Sequence, residues 1–170
     1  IPTPEDYQLG PGDELIIDIW GAAEQSYRKT ISSEGTISIA NLGPIYLNGL
    51  SIKRARERLR SSLSRIYSGL KAKGDSPNDT QARISLGNIR SISVTVLGEA
   101  QFPGTYTLPS LATVFNALYS AGGPEEGGTF RNIQVIRKDT VVASLDIYDF
   151  LVYGNQKDNI RLRDQDIIKI

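Results

Sequence analysis

Three pairs of neighbouring carboxylates are the residues of this sequence whose types could support acid–base chemistry. The pairs are Glu5/Asp6, Asp13/Glu14 and Glu125/Glu126. Two carboxylates hydrolyse a glycoside only when they face each other across a cleft at a defined separation. Because adjacent side chains on a strand point to opposite sides, none of these pairs predicts a hydrolase site.

The residue inventory removes most other catalytic and metal-binding chemistry. The 170 residues include no histidine and no cysteine, which are the commonest general base, the usual thiol nucleophile and the main zinc ligands. Nineteen basic residues balance nineteen acidic ones, and binding to nucleic acid normally requires a basic surplus. We therefore predict no catalytic residue, no cofactor, no metal and no nucleic-acid partner.

Two other features could contact a ligand. The segment "AGGPEEGG" at 121–128 is rich in glycine, but it lacks the Lys-Ser/Thr ending of a phosphate-binding loop and follows a helical pattern. We interpret it as the end of that helix. Trp20 could stack on a sugar ring, although a single tryptophan beside a strand is more typical of a core or an interface.

A turn precedes the first strand. Gly10, Pro11, Gly12 and Asp13 lead into residues 15–20, where apolar residues alternate as in a half-buried strand. The last residues repeat the pattern, because Asp166 also follows a turn and precedes alternating isoleucines. An aspartate in such a turn accepts backbone N–H groups, so both motifs predict structure rather than catalysis.

The first half of the chain predicts strands over 26–32, 35–40 and 44–49, with a turn at 33–35. A helix of about four turns follows Ser51, its N-cap. Its apolar stripe comprises Ile52, Ala55, Leu59, Leu63 and Ile66, and its basic outer face comprises Lys53, Arg54, Arg56, Arg58 and Arg60. Such a face is typical of solvated helices, and binding of an acidic polymer is the other interpretation.

The first half ends with a predicted strand over 82–86. The second half predicts a strand over 90–100, a turn that leads into a strand over 102–108, and a helix over 111–121 that ends at Gly122. A hairpin across Lys138-Asp139, a helical turn over 147–153 and a strand at 166–170 complete the pattern. Residues 68–81 form a polar loop. Each half mixes strands with one main helix, so we predict an α+β fold divided into domains at 1–88 and 89–170.

Four segments resemble a known family when they are read in order. They are "YQLGPGDELIIDIWG", "ISSEGTISIANLGPIYLNGLSIKRARERL", "RSISVTVLGEAQFPGTYTL" and "LYSAGGPEEGGTFRNIQVIRK". Together they resemble the bacterial polysaccharide export proteins of the Gram-negative outer membrane. The first half is similar to the polysaccharide-export domain, an α/β module, and the second to an SLBB domain, a β-grasp fold.

The resemblance implies the periplasmic part of an outer-membrane translocon that conducts capsular or exopolysaccharide outward. It implies a homo-oligomeric ring, an inner-membrane polysaccharide co-polymerase as partner, and a lipoprotein parent attached to the outer membrane through parts that this chain lacks. We expect a processed or trimmed piece, since the sequence does not begin with methionine. Loops at the lumen or at subunit interfaces would comprise Gly10, Pro11, Gly12, Asp13, Asn41, Gly43, Pro44, Gly98, Glu99, Pro103 and Gly104.

Two other functions fit the same residues. β-Grasp modules of this type also bind soluble ligands, and the turns at Gly98-Glu99 and Pro103-Gly104 could frame a pocket. A structural or adhesive surface module that passes no polymer is the third interpretation.

Overall fold

The computed structural model describes residues 3–71 and 80–170, and the chain folds into two compact units, unit 1 (Ile1–Arg90) and unit 2 (Ser91–Ile170). The domain boundary after residue 88 remains a prediction from the sequence, and the two compact units divide between residues 90 and 91. Each unit contains both sheet and helix, so the fold class is α+β as predicted.

Unit 1 contains two small sheets and one α-helix among its described residues. The elements are β1 (Glu14–Trp20), β2 (Gln25–Thr30), β3 (Thr36–Ile39), β4 (Gly43–Tyr46), α1 (Ile52–Leu63), a 3₁₀ turn (Ser68–Lys71) and β5 (Gln81–Leu86). Strands β2, β1 and β5 form an antiparallel sheet in that order, and β3 pairs with β4 as a hairpin. The predicted turn at 33–35 is present, but it joins strands of different sheets.

Strand β1 and helix α1 both contribute buried side chains to the core of unit 1. Leu15, Ile17 and Ile19 alternate along β1 and are buried, while the predicted stripe of α1 is buried from Ile52 to Leu63. Ser51 caps the helix as predicted by accepting a hydrogen bond from the Arg54 amide at 3.3 Å. Removal of these apolar side chains from water is the main stabilising contribution.

The predicted length of α1 was wrong. The helix has 12 residues, about three turns, and Ile66 lies beyond it with 37% of its surface exposed. The amides of Ile66 and Tyr67 both donate to the Leu63 carbonyl, so the chain tightens into a turn at this point. Ile66 therefore leaves the stripe that its spacing suggested.

Unit 2 is built on one five-stranded sheet. Its elements are β6 (Ser91–Leu97), β7 (Gly104–Pro109), α2 (Val114–Ser120), β8 (Ile133–Arg137), β9 (Thr140–Leu145), α3 (Ile147–Tyr153) and β10 (Ile167–Lys169). The strand order is β7-β6-β10-β8-β9, with β10 parallel to β6 and antiparallel to β8. The final strand thus lies in the middle of the sheet, where Ile168 is fully buried.

Helix α2 begins later than predicted. Thr113 is its N-cap, because the Asn116 side chain turns back to accept the Thr113 amide at 2.9 Å. Leu111 therefore precedes the helix. The helix ends as predicted, with the amides of Gly122 and Gly123 donating to the Tyr119 and Leu118 carbonyls in a Schellman motif.

The remaining local predictions divide between confirmed and untested ones. Lys138 and Asp139 have φ values of 47° and 62°, which a two-residue hairpin turn requires, and α3 covers the predicted helical turn. Residues 68–71 and 81 of the predicted polar loop belong to regular elements, and residues 72–79 lie outside the described residues. Within the described ranges, no helix is long and apolar enough to cross a membrane.

Candidate functional site

The first predicted loop, residues 10–13, surrounds a buried carboxylate. Asp13 has no exposed side-chain surface, and its Oδ2 accepts the Gly10 amide at 2.9 Å. Gly12 has a φ of 93°, and glycine adopts this left-handed conformation without steric cost. The prediction that Asp13 binds backbone N–H groups in its own turn is therefore confirmed.

Two partners of Asp13 come from outside the turn. Tyr7 donates its hydroxyl to the carboxylate at 2.9 Å, and Arg90 reaches Oδ2 with Nη1 at 2.5 Å. The Arg90 amide also donates to Oδ1, at 2.9 Å. Asp13 thus ties the start of unit 1 to its last residue.

Asp166 in unit 2 is held in the same way. Its Oδ2 accepts the amide of Arg163, three residues earlier, at 2.8 Å, and its side chain is fully buried. Arg137 on β8 donates Nε and Nη2 to the two carboxylate oxygens at 2.8 and 2.6 Å. This hydrogen-bonded carboxylate raises the pKa of Arg137 above its usual value.

Sequence reasoning missed the tyrosine and both arginines. The need for such partners could have been predicted, because an aspartate at the start of a buried strand requires a cation or several hydrogen-bond donors. No local spacing identifies that cation, since Arg90 and Arg137 lie far from their aspartates in sequence. Each carboxylate accepts several hydrogen bonds and stabilises the fold, and neither is placed to act as a catalytic acid or base.

The second predicted loop lies at the tip of the β3–β4 hairpin. Asn41 and Gly43 have φ values of 67° and 70°, and the Leu42 amide donates to the Ile39 carbonyl at 3.1 Å. Asn41, Gly43 and Pro44 are exposed. Their side chains and backbone are available to a partner, and the geometry contains no nucleophile.

The third predicted loop combines two turns of unit 2. Gly98 has a φ of 86°, and a Cβ on it would collide with the Ile170 carbonyl oxygen. The turn therefore packs closely against Ile170. Glu99 and Pro103 are exposed, and Gly104 begins β7.

The structure brings together two carboxylates that are not neighbours in the sequence. Glu99 meets the glycine-rich segment, where the Glu125 amide donates to the Glu99 carbonyl at 2.9 Å. The Glu99 side chain raises the pKa of Glu125, first through a shared hydrogen bond and then through like-charge repulsion. Glu125 is fully exposed, so the pair lacks the enclosed cleft of a hydrolase.

Residues 3–71 and 80–170 contain no group of three or more acidic side chains that could hold a metal ion. Trp20 lies at the end of β1 with 44% of its surface exposed, so it is not part of the core. Gly10 and Asp13 of the predicted lumen or interface loops are buried, whereas the exposed residues of these loops remain candidate surfaces.

Comparison with known families divides the chain as the two units do. The family model described as polysaccharide biosynthesis/export protein matches residues 1–73, and that of the SLBB domain matches residues 93–146. The first match lies within unit 1 and the second within unit 2.

Two curated proteins of Escherichia coli, both named polysialic acid transport protein KpsD, are 28% identical to this chain over 150 residues. The match covers 88% of the chain and 25% of each relative. The chain therefore spans about a quarter of the length of the curated relatives it matches. An export domain is thus followed by an SLBB domain, and most of the chain is similar to bacterial polysaccharide transport proteins.

Proposed function

We propose that this chain is the periplasmic part of an outer-membrane translocon that conducts capsular or exopolysaccharide to the cell surface. The order of the two matched domains is the observation that carries the proposal. The E. coli relatives are transport proteins by name, and this supports the expectation of a non-enzymatic chain. An inner-membrane polysaccharide co-polymerase is the proposed partner for delivery of the polymer.

The proposed assembly is a ring of identical subunits in the periplasm, attached to the outer membrane of a Gram-negative bacterium. Heterologous contacts that close on themselves generate such rings. Helix α3 supports self-association, because it has no buried residue and exposes Leu151, Val152 and Tyr153 by 67, 66 and 80%. Exposed apolar surface of this kind is often covered by a partner.

Deletion of the parent gene tests the transport function. We expect surface polysaccharide to disappear, polymer to accumulate inside the outer membrane, and the intact gene to restore export. Unchanged surface polysaccharide in a strain without a second copy of the gene would contradict the proposal. Saturable binding of one small molecule, with normal export, would instead support the ligand-binding alternative.

Sedimentation of the intact parent protein tests the ring. A Leu151→Glu/Val152→Glu variant should shift the protein toward the monomer, because charged side chains are costly to bury in an interface. Val141→Glu, at an exposed position of β9, is the matched control in the same unit. A monomeric wild-type protein at all concentrations would exclude self-assembly through this surface.

A further inference from the structure

A groove in unit 1 lies between helix α1 and strand β5. Its volume is about 400 Å³, within the range of about 300–1,000 Å³ that is usual for ligand pockets. Two elements line it, with Arg56, Glu57 and Arg60 from α1 and Ala82, Arg83 and Ile84 from β5. Three guanidinium groups therefore share one open groove with the Glu57 carboxylate, and Arg56 also forms an ion pair with Glu5 at 3.8 Å.

Two of these arginines have no partner among the residues that the structure describes. Arg60 and Arg83 are exposed, and their guanidinium groups form no hydrogen bond or ion pair with any described residue. Arg56 and Arg60 are one helical turn apart, and like charges at this spacing destabilise a helix. A ligand that brings negative charge would relieve this repulsion.

We propose that this groove binds the carboxylate groups of an acidic polysaccharide. The inference rests on the proposed export function and names the class of polymer. Arginine suits this role because its planar fork can donate two parallel hydrogen bonds to one carboxylate. Exposed guanidinium groups bind such a ligand weakly, because water and salt screen their charge. Weak binding suits a translocated polymer, which must also dissociate from the site.

An acidic polypeptide is the other ligand that three arginines could attract. A peptide would bind most favourably by adding a strand to the edge of β5. That edge is already occupied at one point, because Arg56 donates Nε to the Ile84 carbonyl at 3.1 Å. Strand addition would have to break this hydrogen bond, whereas a glycan carboxylate can bind the remaining donors without doing so.

The test is a calorimetric titration of the 170-residue chain with oligosialic acid of defined length, at low and at high salt. Dextran of equal length is the neutral control. The Arg60→Glu/Arg83→Glu variant should weaken binding of the acidic glycan by about tenfold or more, the effect of losing one hydrogen bond to a charged group. High salt should weaken binding to the wild-type chain as well.

The Lys53→Glu/Arg54→Glu variant is the matched control, because it makes the same net charge change on exposed residues of α1 outside the groove. It should retain wild-type affinity. An equal loss in both variants, or a loss in neither, would overturn the groove as the site. Preference for polyglutamate over the acidic glycan would overturn the choice of ligand.

Failure of this site is distinguishable from failure of the export function. If the wild-type chain binds no acidic glycan at low salt while gene deletion still abolishes surface polysaccharide, the groove proposal is wrong and the transport proposal stands. If deletion leaves surface polysaccharide unchanged, transport itself is contradicted, whatever the groove binds.

Discussion

Units 1 and 2 contain the same structural motif with different hydrogen-bond partners. In each, a buried aspartate follows a tight turn, accepts the amide three residues earlier and pairs with an arginine. Among the described residues, Asp13 has four donors, from Tyr7, Gly10 and Arg90. Asp166 has three donors from two residues, and two of them belong to Arg137.

The difference concerns how much each aspartate depends on its arginine. Arg137 binds Asp166 through both arms of its guanidinium group, whereas Arg90 uses Nη1 alone and shares it with the Tyr7 hydroxyl and the Gln8 carbonyl. Loss of the arginine side chain leaves Asp13 with a tyrosine and two backbone amides, but leaves Asp166 with one amide. The same motif is therefore supported mainly by neutral donors in unit 1 and mainly by charge in unit 2.

Removal of the Asp13 carboxylate should give the largest effect. Asp13→Ala should lower the unfolding free energy of unit 1 by about 3–5 kcal/mol, because a buried pair is broken and several buried donors lose their acceptor. Asp166→Ala should cost unit 2 less, about 2–3 kcal/mol, since fewer donors are stranded. Denaturant unfolding followed by hydrogen exchange of β1 and β6 measures each unit.

Trp20 gives an independent signal for unit 1, because it is the single tryptophan of the chain. Asp18→Ala is a suitable control, since Asp18 lies on β1 and its hydrogen bond to Ser26 is exposed. A greater loss from Asp166→Ala than from Asp13→Ala would show that the number of donors does not set the cost.

Removal of the arginines should destabilise unit 2 more than unit 1, the reverse of the order expected for the aspartates. Arg137→Met should destabilise unit 2 by about 3 kcal/mol, because Asp166 would keep its charge in a buried position with one remaining donor. Arg90→Met should cost unit 1 about 1–2 kcal/mol, since Tyr7 and two amides still bind Asp13. Methionine preserves most of the side-chain volume, and the same unfolding measurements apply. Equal costs for both substitutions would remove the proposed distinction.

Substitutions in the two turns should change the unfolding free energy by the smallest amounts. Gly12 has a φ of 93°, and a Cβ there would lie 3.3 Å from the Arg90 Cβ, so Gly12→Ala should cost about 1–2 kcal/mol. Gln165 occupies the matching position with a φ of 66°. Gln165→Gly should change stability by less than about 1 kcal/mol, because relief of the left-handed strain is offset by the entropy of glycine. Thermal unfolding of both variants checks this order.

Local sequence patterns predicted most of the elements. Alternation over residues 15–20, the Ser51 cap, the glycines after α2 and the Lys138-Asp139 turn all appear in the structure. Errors concentrated at helix ends. Ile66 has the correct spacing for the α1 stripe, but spacing cannot reveal that the backbone turns after Leu63.

The candidate surfaces were less predictable than the elements. The basic residues of α1 were recognised as one face, yet the groove requires Arg83 from β5, and no periodicity relates that residue to Arg56 or Arg60. The pair of Glu99 and Glu125 was missed for the same reason, because each residue lies in a different loop. Local spacing identifies which residues share an element, and packing decides which elements meet.

By itself, the sequence predicted the α+β class, the resemblance to the polysaccharide export family and the roles of Asp13 and Asp166 as acceptors within their turns. The elements and the two turns depend on contacts between near neighbours along the chain, which spacing encodes directly. Only the tertiary structure decided that Arg90 binds Asp13 across 77 residues of sequence and Arg137 binds Asp166 across 29. A buried carboxylate requires a cation or several hydrogen-bond donors, and before the strands are paired any of the nineteen lysines and arginines could supply the cation.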